Sequence, residues 1–341
     1  MGSMRIYLTG GTGLLGSHFA ELAIAEGASV VALARPASDT IHLRSLGVVV
    51  RTGDLGDVPS LASDISGCDA VVHAASPIGR WGSPAFYEQS TVAGTENVVR
   101  AMRQSGVKTL VYVSTISVHG LDPIQGIPIS ETSGLGRQFL PYDHYGRAKV
   151  KAERIVEEAH QSGSIEAVVL RPGWIYGPRD YNSYGRLADM QSRGLAIKIG
   201  NGENRLSLAY AGNVARALWL ALVNRSPEYR AYLCAYDGHT TQNSYLASLA
   251  RATGRSRSPL SLPKGLLLRA VTLQELLSVF SGYRIPVLLS RYVVHLIGSE
   301  WSFDQGRIER ELGYAPHVSY AEGFAQTEEW YRTLRSNRSI A

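Results

Sequence analysis

"YLTGGTGLLGSHFAELAIAEG", residues 7–27, passes from a short apolar run through a cluster of glycines into a stretch of helical period. Gly10, Gly13 and Gly16 fall three apart, and Gly11, Gly13 and Gly16 fit the spacing G-x-G-x-x-G. Small residues there let the backbone turn sharply and let a large anion come close to it. The last glycine lets the helix pack tightly, and the helix start offers free N–H groups and a partial positive charge. Leu14 and Leu15 share this first helical turn. A plain tight turn would also use glycines, but a β-run before and a helix after point to a site for a dinucleotide pyrophosphate.

Working outward, further apolar β-type runs occur at 29–34, 47–53, 69–75, 109–115 and 166–172. Helix-like stretches lie between them, at about 14–26, 57–66, 85–105 and 143–162. The β-runs are continuous Val, Ile and Leu rather than alternating, as in strands covered on both faces. Alternating β and α units imply a doubly wound parallel α/β sheet of about six or seven strands, of Rossmann type. After residue 172 the rhythm breaks. Helical segments are expected at 185–194, 212–224 and 242–253, and two more helices in the tail, joined through Gly313 and Pro316. The division expected is a dinucleotide-binding domain over 4–175, with about 205–235 returning to it. A smaller, mostly C-terminal substrate-binding cap takes 176–204 and 236–335.

Composition narrows the function classes. The 341 residues carry a net charge of +5, and the cations are scattered without a block of like charge. Mild basicity of this kind suits small anionic ligands and gives no nucleic-acid signature. The two cysteines, Cys68 and Cys234, have no metal or disulfide spacing, which suggests a reduced, cytoplasmic setting. "MGSM" at residues 1–4 reads as an expression scar, followed at once by the first β-run. No apolar run reaches 18 residues, so no spanning helix is expected. The most apolar late stretch, 263–298, is interrupted by charges, Gly282 and Pro286. It reads as cap core, as a wall of an apolar substrate cleft, or as an amphipathic helix in peripheral contact with a membrane.

Two positions bear on which dinucleotide is bound. Arg35 ends the second β-run nineteen residues after Gly16, where an acid would hold a ribose 2′-hydroxyl. It favours NADP(H), with NAD(H) as the alternative and Asp39 as a competing acid nearby. Asp54, followed by Leu55, ends the third β-run; its carboxylate reads either as an acceptor for the adenine amino group or as a turn residue.

"YDHYGRAK", residues 142–149, reads as the start of a helix with Asp143 as N-cap. Tyr145 then falls in its first turn, and Lys149 lies four residues on, along the same face. A free phenol has a pKa of about 10, and a neighbouring ammonium would lower it toward useful proton exchange. "VYVSTISVHG", 111–120, is a β-run ending in hydroxyls, and Ser114 or Thr115 could hydrogen-bond a substrate oxygen. Trp81, Phe86, Trp174 and Tyr181 fall in loops or helix starts near the expected cleft.

In order along the chain, "TGGTGLLG" (9–16), "GDL" (53–55), "HAAS" (73–76), "STISVHG" (114–120), "YGRAK" (145–149) and "LRPGWIYGPRD" (170–180) resemble the successive motifs of the extended short-chain dehydrogenase/reductases. The resemblance implies that Thr115, Tyr145 and Lys149 are the catalytic trio and that Lys149 also holds the nicotinamide ribose. It implies that His73, Ala74 and Ala75 line the cofactor and that Pro172 touches its nicotinamide end. A homodimer through the 85–105 and 143–162 helices is a further implication.

Within that family, the residues after Thr115 are Ile116 and Ser117, where sugar dehydratases carry Asp-Glu. Arg35 stands where nucleotide-sugar epimerases keep an Asp. Residues 205–218 and 286–331 are similar to the 3β-hydroxysteroid dehydrogenase and sterol-4-carboxylate decarboxylase branch. The usual Asn of "N-V-x-G-T" is Thr91 here, which implies an altered proton path. The function expected is interconversion of a secondary alcohol and a ketone on a lipophilic, steroid-like or secondary-metabolite substrate. A nucleotide-sugar epimerase with tightly held NAD is one alternative, and a non-catalytic NADPH sensor is another.

Overall fold

The computed structural model describes residues 3–78, 81–121, 127–224, 228–255 and 258–340, with 338–340 as backbone only. The first two residues of the "MGSM" start therefore lie outside the described residues. The strands in chain order are β1 (Arg5–Thr9), β2 (Ser29–Ala34), β3 (Val49–Thr52), β4 (Ala70–His73), β5 (Thr109–Val113), β6 (Glu166–Pro172), β7 (Trp174–Tyr176), β8 (Ile197–Ile199), β9 (Leu208–Tyr210), β10 (Arg230–Cys234) and β11 (Leu260–Leu262). Seven of them form one parallel sheet in the order β10-β6-β5-β4-β1-β2-β3. From β1 the chain winds out through β2 and β3, then crosses to β4 on the other side. The switch point between β1 and β4 is where open α/β sheets open a crevice.

The continuous apolar strands follow from this burial. Alternate side chains enter two cores, one on each face of the sheet. Ile6, Leu8, Val30, Val72, Val111 and Leu170 pack under the helices Leu14–Ala25 and Ala211–Val223. Tyr7, Val31, Val71, Leu110 and Tyr112 pack under Val58–Ile65, Gly94–Ser105 and His144–Gln161. Strand β10 closes one edge of the sheet, and its preceding helix Ala211–Val223 lies against the glycine-rich helix.

The stretch read as one helix over 85–105 is three pieces. A short α-turn, Pro84–Tyr87, passes through a π-helical segment, Glu88–Ala93, into the helix Gly94–Ser105. Outside the sheet, helices Tyr184–Ser192, Gln242–Thr253 and Tyr320–Ile340 share an aromatic core of Tyr176, Tyr184, Tyr245, Phe324 and Tyr331. The late apolar stretch folds as two helices, Lys264–Phe280 and Arg291–Ile297, packed on Ile199 through Leu267, Val271 and Val294.

Candidate active site

The glycine cradle sits at the end of β1. Gly10 has φ +77°, and a Cβ on it would lie 2.6 Å from the Ala75 nitrogen. A Cβ on Gly16 would lie 2.2 Å from the Gly10 carbonyl oxygen. Neither position has room for any other residue, which brings the helix start hard against the strand end. The helix Leu14–Ala25 begins at Gly13 with no side-chain cap and no acid in its first turn. Its first N–H groups therefore suit an anion, and the residues fit a dinucleotide pyrophosphate. Leu14 is half-buried, while the Leu15 side chain turns away into the core.

Around the cradle, Arg35 follows β2 as an exposed residue, and Asp39 accepts a hydrogen bond from the Ile41 N–H at 3.0 Å. Asp54 accepts from the Gly56 N–H at 2.8 Å, the geometry of a turn residue, and Leu55 packs on the second core. His73 ends β4 with both ring nitrogens engaged, Nδ1 with the Thr9 hydroxyl at 2.6 Å and Nε2 with that of Thr95 at 3.2 Å. Burial, with the Lys149 charge acting in the same sense, lowers its pKa to about 3, so the imidazole is neutral. His73 is thus a bolt between β1, β4 and the helix Gly94–Ser105. Ala74 and Ala75 donate their N–H groups to the carbonyl and the hydroxyl of Thr9 and close up against Gly10. Pro172 is the buried last residue of β6.

The hydroxyl cluster lies at the end of β5. Thr115 caps a single 3-10 turn, Ile116–His119, and accepts from the Ser117 N–H at 3.2 Å. Its hydroxyl lies 3.1 Å from that of Ser117, which in turn donates to Tyr292 Oη at 2.7 Å. The Thr115 hydroxyl near the Tyr145 phenol favours its ionised form, while the buried Ser76 hydroxyl has no hydrogen-bond partner among the described residues. Burial is the larger influence and holds the phenol well above its ordinary range, and the neighbouring Tyr87 adds to the rise. Asp143 is the expected N-cap, accepting from the Gly146 N–H at 3.0 Å.

Lys149 departs from the expected pairing. Its Nζ donates to the Val113 carbonyl at 2.7 Å and to the Tyr112 hydroxyl at 3.2 Å, and it lies over the Tyr112 ring. Among the described residues the partners of the ammonium are thus on β5, and the phenol one turn away is not one of them. Burial lowers the Lys149 pKa to about 7, against the supporting charge of Glu153. Glu153 lies four residues further on and forms a buried ion pair with Arg171, whose Nη2 is 2.7 Å from a carboxylate oxygen. Thr91 falls in the π-helical segment, and its buried hydroxyl has no hydrogen-bond partner among the described residues.

The late helices close over this cluster. Trp81 Nε1 donates to Ser278 Oγ at 2.9 Å, and the His144 ring meets Tyr283 Oη at 3.0 Å. Arg291 pairs with the buried Glu275 at 2.6 Å and donates to the Pro141 carbonyl at 3.1 Å. Phe86 stacks edge-on with Tyr87, and Tyr87 with Tyr145. Trp174 and Tyr181 pack elsewhere, on Tyr245 and Trp330. The "GPRD" segment is tied to the glycine-rich helix, with Arg179 donating to Ser17 and pairing with Glu21 at 2.7 Å. Tyr292 escapes a reading of the sequence because nothing near "RYVVHL" links it to Ser117, 175 residues away.

Residues 6–235 match the family model described as NAD dependent epimerase/dehydratase family. A 2-alkyl-3-oxoalkanoate reductase of Stenotrophomonas maltophilia is 30% identical, covering 94% of this chain and 97% of its own. A 4-hydroxy-2-methyl-3-oxo-4-farnesyl-3,4-dihydroquinoline-1-oxide ketoreductase of Stigmatella aurantiaca is 29% identical, covering 94% of each. A 3beta-hydroxysteroid-dehydrogenase/decarboxylase, isoform 1, of Arabidopsis thaliana is 26% identical, covering 96% of this chain and 80% of its own.

Proposed function

The chain belongs to the NAD dependent epimerase/dehydratase family, the extended short-chain dehydrogenase/reductases, and from that premise we propose that it reduces a ketone on a lipophilic substrate to a secondary alcohol, and can run the reverse. The observation that carries this reading is the linked hydroxyl row Thr115, Ser117 and Tyr292 at the end of β5, packed against the helix His144–Gln161 whose first turn carries Tyr145, with β5 next to β4 of the β1/β4 switch point. The glycine cradle, with part 4–175 and the returning 205–235, holds the dinucleotide. The cap, 176–204 and 236–335, holds the substrate.

Gly10, Gly13 and Gly16 take the pyrophosphate, and the exposed Arg35 meets a 2′-phosphate, which favours NADPH over NADH. Asp54 and Leu55 lie on the adenine side, and Ala74, Ala75 and Pro172 toward the nicotinamide. The nicotinamide supplies the hydride when bound. Tyr145 holds the proton delivered to the substrate oxygen, Thr115 orients that oxygen, and Lys149 carries a charge beneath them. The names of the reductase and dehydrogenase relatives support an apolar substrate. The unpaired, buried Cys68 and Cys234 suit a reducing cytoplasmic setting, and a homodimer is part of the reading.

The test is oxidation of NADPH and of NADH with ketosteroids, long-chain 3-oxo acids, aryl ketones and sugar nucleotides. Turnover of an apolar ketone with NADPH is expected, and Tyr145→Phe should lose at least about a hundredfold in rate. Epimerisation of a sugar nucleotide without added cofactor would replace this reading. So would tight NADPH binding with no turnover on any carbonyl, the behaviour of a sensor.

A further inference from the structure

The helix Lys264–Phe280 is apolar on two sides. Leu267 and Val271 on one side are buried against Ile199 and Val294. Glu275 and Ser278, also buried, tie that side to Arg291 and Trp81. The opposite side is exposed among the described residues. Leu266, Leu273, Leu277 and Phe280 recur at intervals of seven, four and three, which keeps them on one face. Leu273 is 60% exposed and Phe280 86%. The chain after the helix doubles back beside it, with Ser278 Oγ donating to the Ile285 carbonyl at 2.6 Å. That return adds exposed Ile285 and Leu288 to the patch. A contiguous apolar patch of this kind marks an interaction surface.

The exposed charges of this stretch have one sign. Residues 258–290 contain the cations Lys264, Arg269 and Arg284 and one acid, Glu275, which is buried and paired with Arg291. Arg269 and Arg284 are exposed. An apolar stripe flanked by cations, without an exposed acid, complements a layer of anionic headgroups over hydrocarbon. A second copy docked across a twofold axis here would bring guanidinium groups together with no carboxylate of this stretch to pair them.

We propose that this face docks on a bilayer containing anionic lipid, with Leu266, Leu273, Leu277 and Phe280 entering the boundary between headgroups and acyl chains. The contact is peripheral, since no helix among the described residues is long and apolar enough to cross a membrane. The buried side of the same helix holds Arg291, whose neighbour Tyr292 accepts from Ser117 in the hydroxyl cluster. Docking therefore sets the catalytic end of the sheet beside the phase in which an apolar ketone dissolves. That link to substrate rests on the proposed function, but the docking does not.

The test is co-sedimentation of the full chain with vesicles of phosphatidylcholine alone and of phosphatidylcholine with phosphatidylglycerol. The anionic vesicles should bind about tenfold more tightly, and added salt should erase the difference. The pair Leu273→Asp with Phe280→Asp should abolish binding. The pair Arg269→Gln with Arg284→Gln should leave only weak, salt-independent binding. All four side chains are exposed, so melting temperatures should stay unchanged. Equal binding to both vesicle types, no binding to either, or undiminished binding by the Asp pair would overturn the proposal. So would a wild-type dimer that the Asp pair dissociates while anionic vesicles fail to bind. Absence of ketone turnover alongside vesicle binding would sink the proposed function and leave the docking standing.

Discussion

Replacing Glu153 by glutamine removes one charge and almost no volume, at the point where the stability of the fold meets the charge of Lys149. Three short contacts join its carboxylate to Arg171, at 2.7, 3.1 and 3.2 Å, and the side chains are 1% and 4% exposed. Breaking such a pair on one side costs about 3–5 kcal/mol, because the remaining charge stays buried. Arg171 keeps the Glu131 carbonyl at 3.3 Å, and a glutamine oxygen can still accept. The expected loss is therefore at the low end, about 3 kcal/mol.

The same change removes the charge that supports Lys149, so its pKa falls further below about 7. Urea unfolding near neutral pH reads the first effect, and the pH dependence of turnover reads the second. Glu153→Met combined with Arg171→Met should recover most of the stability that Glu153→Met alone loses, since an apolar pair leaves no orphaned charge. A loss below about 1 kcal/mol in Glu153→Gln, the scale of an exposed pair, would refute the reasoning.

Three further outcomes are expected. Gly16→Ala places a methyl 2.2 Å from the Gly10 oxygen and should abolish NADPH binding in a fluorescence titration, whereas Gly265→Ala, with open space around it, should not. Burial raises the Asp143 carboxyl from 3.8 to about 6, so between those values the folded state binds more protons than the unfolded one. The stability this confers is complete below the unfolded value and is lost as pH rises through the folded one, by up to about 3 kcal/mol. Asp143→Asn should flatten that decline in denaturation midpoints measured across the interval; an unchanged slope would show the carboxyl is not raised. Arg35→Ala should weaken NADPH by about tenfold and leave NADH alone, since only the 2′-phosphate distinguishes the two; an equal loss for both would remove Arg35 from that role.

What the sequence disclosed was mostly local. The β-runs were legible because strands covered on both faces are mostly apolar, and every residue of β4 and β5 is buried. Asp143 was legible as a cap because its carboxyl serves an N–H only three residues away. The glycine cradle was legible because no other residue fits at Gly10 or Gly16.

What stayed hidden was set by distant chain. Four-residue spacing puts Lys149 on the face of Tyr145, but the carbonyl and hydroxyl that capture it belong to β5, more than thirty positions earlier. The fate of His73 is decided by Thr9 and Thr95, and that of Ser117 by Tyr292 in the helix Arg291–Ile297. The π-helical segment at Glu88–Ala93 lies in a stretch whose apolar pattern reads as ordinary helix.

Burial acts on Tyr145 and Lys149 toward the same end, since each loses its charged form. The phenol is held above its ordinary range, and the amine is brought to about 7. Near neutral pH the phenol is protonated, and the amine is close to its midpoint. The expectation of a phenol made acidic by an adjacent ammonium therefore does not describe the protein by itself, because the ammonium is bonded to β5 and burial outweighs the groups that favour phenolate. A protonated phenol within reach of a carbonyl oxygen is a general acid, and donating its proton is the task of ketone reduction. Oxidation of the alcohol needs the same group as a base, which becomes available only as pH rises. Reduction should therefore dominate near neutrality, with the oxidation rate climbing steeply on the alkaline side. An alcohol oxidised near neutral pH as fast as its ketone is reduced, at matched saturation, would contradict this account of Tyr145.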